Sequence, residues 1–234
     1  VYDHLSEEGK KYADEYIGFP DCAVDRIVPP VKSENFIDVV VESYHEWDVE
    51  RCGFKGEIPK IQGMTVVDNL EAYLERKLFT LNTGHAITAY LGNRKGLSTI
   101  DKAIADDEIF AIVSAAMKES GDGLIKKHGF DAQKHSAYIQ KIIGRFKNPY
   151  LQDDVTRVGR EPLRKLSPTD RQIKPLTTAA GYGLPVDHLI VGVAAALRYD
   201  NPEDKQSVEL QPKIREMGVR DAVREITGLT DEKL

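Results

Sequence analysis

The sequence predicts a mainly α protein: a multi-helical domain over residues 66–234, preceded by a small α/β part over residues 1–65. Three observations predict it. The β-branched runs gather before residue 45, and a stretch punctuated by Gly53, Gly56, Pro59 and Gly63 follows them. Helical apolar periodicity then sets in at Asp68 and continues almost to the end. A chain of 234 residues is long enough to bury one large core or two small ones.

The elements follow in order. LSEEGKKYADEYI (5–17) reads as a helix stopped by Gly18 and Pro20. CAVDRIV (22–28) reads as a strand closed by Pro29 and Pro30, and DVVVESY (38–44) as a second strand, with Tyr44 and Trp47 packing the small sheet. DNLEAYLERKLFTLNTGHAITAYLG, from Asp68, offers an N-cap aspartate and an apolar series over several turns, so one long buried helix is expected. Further helices are expected near 101–119, 131–146, 152–165, 168–180 and 186–199, with shorter ones near 203–216 and 219–226. Val1 leads almost directly into a charged helix without an initiator methionine, so the chain reads as the C-terminal piece of a longer protein.

Composition narrows the function. A net charge of -6 argues against general affinity for nucleic acid or acidic membranes. The longest apolar run, Leu189 to Leu197, is too short to span a bilayer. Cys22 and Cys52 have no Cys or His pattern around them, which makes a disulfide framework or a metal site unexpected and suits a reducing cytoplasm. His128 and His135 fall in polar helical stretches, and His188 reads as a surface or capping residue beside an apolar helix.

Chemistry concentrates in KLFTLNTGH, where Lys77, Asn82 and His85 share the long helix. At α-helical pitch Asn82 lies roughly 140° and His85 roughly 80° around the axis from Lys77, spread along roughly 12 Å. All three can address one broad face. Desolvation disfavours the charged form of a lysine on an apolar helix, which suits it to accept a proton. An asparagine amide can donate to an oxygen gaining negative charge, and a histidine can orient a substrate or the lysine. Gly84 weakens the helix by about 1 kcal/mol and makes sense where something approaches the backbone. From geometry alone, a Lys, Asn and His spread over a helix are more often solvated or structurally satisfied side chains, and the spacing by itself does not identify a site.

K-x4-N-x2-H, as Lys77, Asn82 and His85, resembles the signature of the polyol-specific long-chain dehydrogenases and reductases, which use a lysine base and no zinc. Within them ERKLFTLNTGHAITAYLG (75–92) is similar to the mannitol-1-phosphate 5-dehydrogenases. So are VDRIVPP (24–30), FKGEIP (54–59), AYIQKIIGRFKNPYL (137–151) and DDVTRVGREPLRKLSPTDR (153–171), in the expected order. The resemblance implies a helical substrate domain like the C-terminal domain of 6-phosphogluconate dehydrogenase, behind the remnant of a Rossmann domain. It implies NAD as cofactor, held mainly by residues upstream of Val1, and no G-x-G-x-x-G occurs in this chain. It implies Lys77 as base, Asn82 stabilising the alkoxide-like oxygen, and His85 holding a substrate hydroxyl or the lysine. Asp25 and Arg26 match the family's V-D-R-I strand bordering the active site, although the pair reads equally as a local ion pair. Alone, this piece is expected to have negligible dehydrogenase activity.

Between Lys141 and Lys174 nine basic residues face four acids. In a 152–165 helix, Arg157, Arg160 and Arg164 would share one face, and arginine forks suit phosphate oxygens. Arg157 and Lys165 match the arginine and lysine with which related polyol dehydrogenases contact sugar hydroxyls, leaving Arg160 and Arg164 as phosphate candidates. The expected partner is a small sugar phosphate or polyol phosphate, handled by a monomer or weak dimer. Mannitol 2-dehydrogenase and hexuronate reductase specificities stay open. A non-catalytic helical interaction module would explain the apolar helices but not the Lys77–Asn82–His85 set.

Overall fold

The computed structural model describes residues 2–28, 35 and 37–230, and Pro29 and Pro30, expected to close the first strand, lie outside them. The chain divides into two compact units between Leu74 and Glu75. The first opens with α1 (Glu7–Tyr16), whose N-cap Ser6 Oγ accepts from the Gly9 N–H. A three-stranded sheet follows in the order β1 (Cys22–Asp25), β2 (Glu46–Glu50), β3 (Met64–Val67). β1 pairs antiparallel with β2, Val24 opposite Trp47, and β2 pairs parallel with β3, Trp47 opposite Met64. Ala23, Val67 and Leu70 form its buried cluster.

Two strand expectations change. Residues 38–44 form no strand, despite three consecutive valines, and the ladder instead takes up Glu46–Glu50. Met64–Val67, at the edge of the glycine-punctuated stretch, supplies a third strand. Pairing partners decide strands more than local propensity does.

Among its described residues the second unit is built of helices, with one isolated β-bridge between Thr99 and Asp154. α2 (Leu70–Arg76) runs into a π-helical segment (Lys77–Asn82) and then α3 (Thr83–Arg94). α4 (Ile100–Ile104) and α5 (Asp107–His128) split the helix expected near 101–119, because the Asp106 side chain stops one and caps the other by accepting from the Ile109 N–H. α5 ends at Gly129, whose φ of 72° is the left-handed conformation a glycine adopts without strain. α6 (Ala132–Phe146) is capped by Asp131, and α7 (Val155–Gly159), α8 (Pro162–Lys165), α9 (Ile173–Gly181), α10 (Asp187–Leu197), α11 (Lys205–Met217) and α12 (Val219–Thr227) complete the unit.

α5 is the axis of this unit, packing against α3, α6, α9 and α10. Phe79, Ile87, Tyr90, Met117, Leu124, Ile142 and Phe146 are fully or almost fully buried there, each contributing roughly 1.5–3 kcal/mol of transfer free energy. Glu119 of α5 serves α10 in place of a local cap: its carboxylate accepts from the His188 and Leu189 N–H groups at 3.0–3.1 Å and lies 2.7 Å from His188 Nδ1. No helix among the described residues is long and apolar enough to cross a membrane.

Candidate active site

The long α-helix expected over Lys77, Asn82 and His85 is interrupted at Lys77–Asn82. Thr83 N–H bonds to Leu78 O, an i→i+5 bond, so Lys77–Asn82 is a wide π turn inside the helix. The α-helical angles between the three residues therefore do not apply. Such turns are rare and cost stability, because carbonyls fall out of the i→i−4 ladder. Here a hydroxyl collects one of them: Ser120 Oγ donates to Phe79 O at 2.7 Å, while Thr83 Oγ1 lies 2.9 Å from Leu78 O and 2.8 Å from Arg171 O. Lys77 and Asn82 are half-buried on this turn, and His85 is half-buried one turn into α3.

Gly84 has a different neighbour from the one its presence suggested. A Cβ there would sit 2.6 Å from Met117 Sδ, so what approaches the helix is the core side chain of α5.

His85 is held on two sides. Its ring stacks on Phe146, centroids 5.0 Å apart and planes 12° from parallel, and its Nε2 lies 2.8 Å from Asp153 Oδ2. Asp153 is buried, and its other oxygen meets the Arg157 guanidinium. Burial alone would raise the Asp153 carboxyl, but His85 and Arg157 hold it below the usual carboxylate range. The chain fixes Asp153 through its backbone as well: Ile100 N–H donates to Asp153 O, and Val155 N–H to Ser98 O. Sequence reading counted Asp153 only as an acid opposing the basic run. Its spacing of four from Arg157 was the available signal.

The remaining site residues fall into separate settings. The helix expected over 152–165 is broken by Arg160 and Glu161, the latter at φ 60°, so Arg157, Arg160 and Arg164 do not share one helical face. Arg157 and exposed Arg160 line a groove with Thr156, Asn201 and Asp204. Arg164 is tied to Glu161 at 2.8 Å and Asp170 at 2.9 Å. Lys165 is buried and donates to the carbonyls of Val158, at 2.5 Å, and Arg160. Its burial, with Arg171 and Arg164 nearby, brings it down to about 7. In the first unit, Asp25 is buried at the end of β1, and exposed Arg26 donates through Nε to Glu42 O at 3.0 Å.

A second buried carboxylate also escaped the sequence reading. Glu75, two residues before Lys77, is surrounded by Lys127, His128 and Lys174. Burial would raise it, yet the hydrogen bonds from these three neighbours bring it down to about 2.

Residues 69–229 match the family model described as the mannitol dehydrogenase C-terminal domain, and residues 1–63 match that of the mannitol dehydrogenase Rossmann domain. Among solved structures, D-sorbitol dehydrogenase in substrate-free form is 18% identical with a TM-score of 0.70. The ternary complex of Pseudomonas fluorescens mannitol 2-dehydrogenase with NAD and D-mannitol is 20% identical with a TM-score of 0.67. Each match covers 94% of this chain and 53% of the other, so the chain spans about half the length of either enzyme. At such identities the two structures establish the fold. With the two family models adjoining along nearly the whole sequence, the chain belongs to the mannitol dehydrogenase family.

Proposed function

We propose that this chain is the substrate-binding part of an NAD-dependent polyol dehydrogenase that interconverts D-mannitol 1-phosphate and D-fructose 6-phosphate. Residues 1–65 would close the NAD-binding domain, and 66–234 would form the helical substrate domain. The observation that carries the reading is the His85–Asp153–Arg157 chain beside the π turn bearing Lys77 and Asn82. It ties two segments of the family-like sequence into one polar cluster.

In this reading Lys77 Nζ takes the proton of the reacting hydroxyl. Asn82 donates its amide to the same oxygen as negative charge grows on it. His85, steadied by Asp153 and Phe146, orients a neighbouring hydroxyl, as do Arg157 and Lys165. Arg160 and Arg164 hold the phosphate. No glycine-rich turn of the dinucleotide-binding kind occurs in the sequence, so none of these residues is given a part in holding NAD. NAD bound to the Rossmann domain supplies the hydride acceptor.

One observation favours a sister specificity for an unphosphorylated polyol. Arg164 is already neutralised by Glu161 and Asp170, which weakens it as a phosphate ligand. The test is NADH oxidation by the whole protein with fructose 6-phosphate and with fructose, alongside Lys77→Ala. Activity with fructose 6-phosphate that drops by at least about 1,000-fold in the variant supports the base and the substrate. Activity with fructose alone moves the protein to the unphosphorylated branch. An unimpaired Lys77→Ala variant refutes the mechanism.

A further inference from the structure

The roles given to Lys77, Asn82 and His85 leave Glu75 unexplained. Its side chain is 4% exposed and carries four short contacts. Oε1 accepts from Lys127 Nζ and lies 2.7 Å from Lys174 Nζ, while Oε2 accepts from Lys127 Nζ and lies 2.6 Å from His128 Nε2. These contacts fill the acceptor sites a carboxylate possesses. Lys127 and His128 close α5, and Lys174 lies in the first turn of α9. One carboxylate therefore fastens the end of α2 to two other helices, immediately before the π turn.

A buried ion cluster is poor at supplying net stability, because desolvating the charges offsets most of their attraction. Its best-attested use is to fix register, and the adjoining segment has a register that needs fixing. A π turn shifts every following side chain relative to an α-helix, and local backbone bonding alone would relax it. The segment is caught at its middle by Ser120 on Phe79 O and at its end by Thr83 between Leu78 O and Arg171 O. Glu75 is the matching anchor at its entry. All three anchors lead to α5 or to residues 171–174.

We propose that Glu75 is a positioning residue, whose clasp on Lys127, His128 and Lys174 holds the π turn in the register that presents Lys77 and Asn82 to substrate. The proposal rests on Lys77 being the base, but its structural half can be measured without turnover.

The experiment uses the whole protein with Glu75→Gln, which keeps the shape and removes the charge, and Glu75→Asp. Steady-state kinetics and amide hydrogen exchange are measured on each. Glu75→Gln should lower kcat by about 100-fold, the scale of a small misplacement of a catalytic group, while KM stays within about 2-fold. Glu75→Asp should recover part of that loss. Amides of residues 77–83 should exchange at least about 10-fold faster, with those of α10 unchanged. Should Glu75→Gln fail to fold, Lys174→Met removes one arm of the clasp without stranding a buried charge, and should shift both readouts in the same direction by less. Unchanged kcat in a folded variant, or exchange rising equally in α10, overturns the proposal. A wild type inactive on every polyol tested refutes the role of Lys77, and the exchange pattern then still decides whether the clasp exists.

Discussion

Asp153→Asn is the sharpest probe of the site, because it keeps the side-chain shape and removes a buried charge. In the native protein Oδ2 lies 2.8 Å from His85 Nε2, and Oδ1 meets Arg157. Arg157 is 37% exposed and can rehydrate when the charge goes, so the full 3–5 kcal/mol of breaking a buried pair does not apply. What remains is the loss of charge-assisted contacts, about 2 kcal/mol of stability. The His85 ring keeps its stacking on Phe146 but loses its lateral hold, and a misplaced orienting group should cost about 10- to 100-fold in kcat/KM. The pH dependence has a definite sign. A carboxyl held below its unfolded value contributes fully above that value, so the variant's deficit should be complete above about pH 5 and shrink as pH falls further. Urea unfolding at several pH values and steady-state kinetics measure both effects. A variant with the wild-type urea midpoint and wild-type kcat/KM would show that Asp153 does not hold His85.

Two further outcomes follow from the same packing. Lys165 titrates at about 7 in the fold against about 10.4 unfolded, so stability should rise as pH rises between those values and be lost as pH falls toward 7. The rise is on the order of 4 kcal/mol, and Lys165→Met should abolish it; parallel pH slopes for the two proteins between about pH 7 and 9.5 would refute the assignment. Gly84→Ala gains about 1 kcal/mol of helix propensity but forces its Cβ against Met117, which is fully buried, so net destabilisation of about 1 kcal/mol is expected in urea unfolding. Stabilisation instead would mean that Met117 moves aside freely.

The helical domain was legible because its signals are local. α6 and α10 to α12 emerge within a few residues of expectation, since caps such as Asp131 and Asp204 and apolar spacing suffice to define them. The π turn left no such trace. KLFTLN suits an ordinary α-helix, and the groups that meet the widened turn come from far along the chain: the Ser120 hydroxyl on Phe79 O, and Arg171 O at the Thr83 hydroxyl. The valines of 38–44 misled for the opposite reason: their strand propensity is real, but Trp47 is the residue that finds Val24 and Met64. The break at Glu161 could have been read, since Pro162 biases the residue before it away from α-helical geometry. Asp153 could not have been joined to His85, because nothing local specifies that pairing.

The basic run shows why sign alone does not identify a phosphate site. Nine cations against four acids between Lys141 and Lys174 look like an invitation to an anionic substrate. In the fold most of the candidates are committed elsewhere. Arg157 meets Asp153, Arg164 is divided between Glu161 and Asp170, Lys174 serves Glu75, and Lys165 points at two carbonyls. Arg160 is exposed beside Arg157, and the charge nearest its guanidinium is the Glu161 carboxylate, which Arg164 already holds. If the proposed phosphorylated substrate is the right one, its phosphate would fall chiefly to Arg160, with Arg157 contributing whatever Asp153 leaves of its charge. A guanidinium at an open groove can supply a charge-assisted pair of about 1.5–3 kcal/mol, which would be enough to separate fructose 6-phosphate from fructose by KM. The proposed hydride and proton chemistry at Lys77 would be the same for either substrate, so under this reading the two specificities would divide on this arginine rather than on the π turn, and Arg160→Ala should raise KM for fructose 6-phosphate without changing that for fructose.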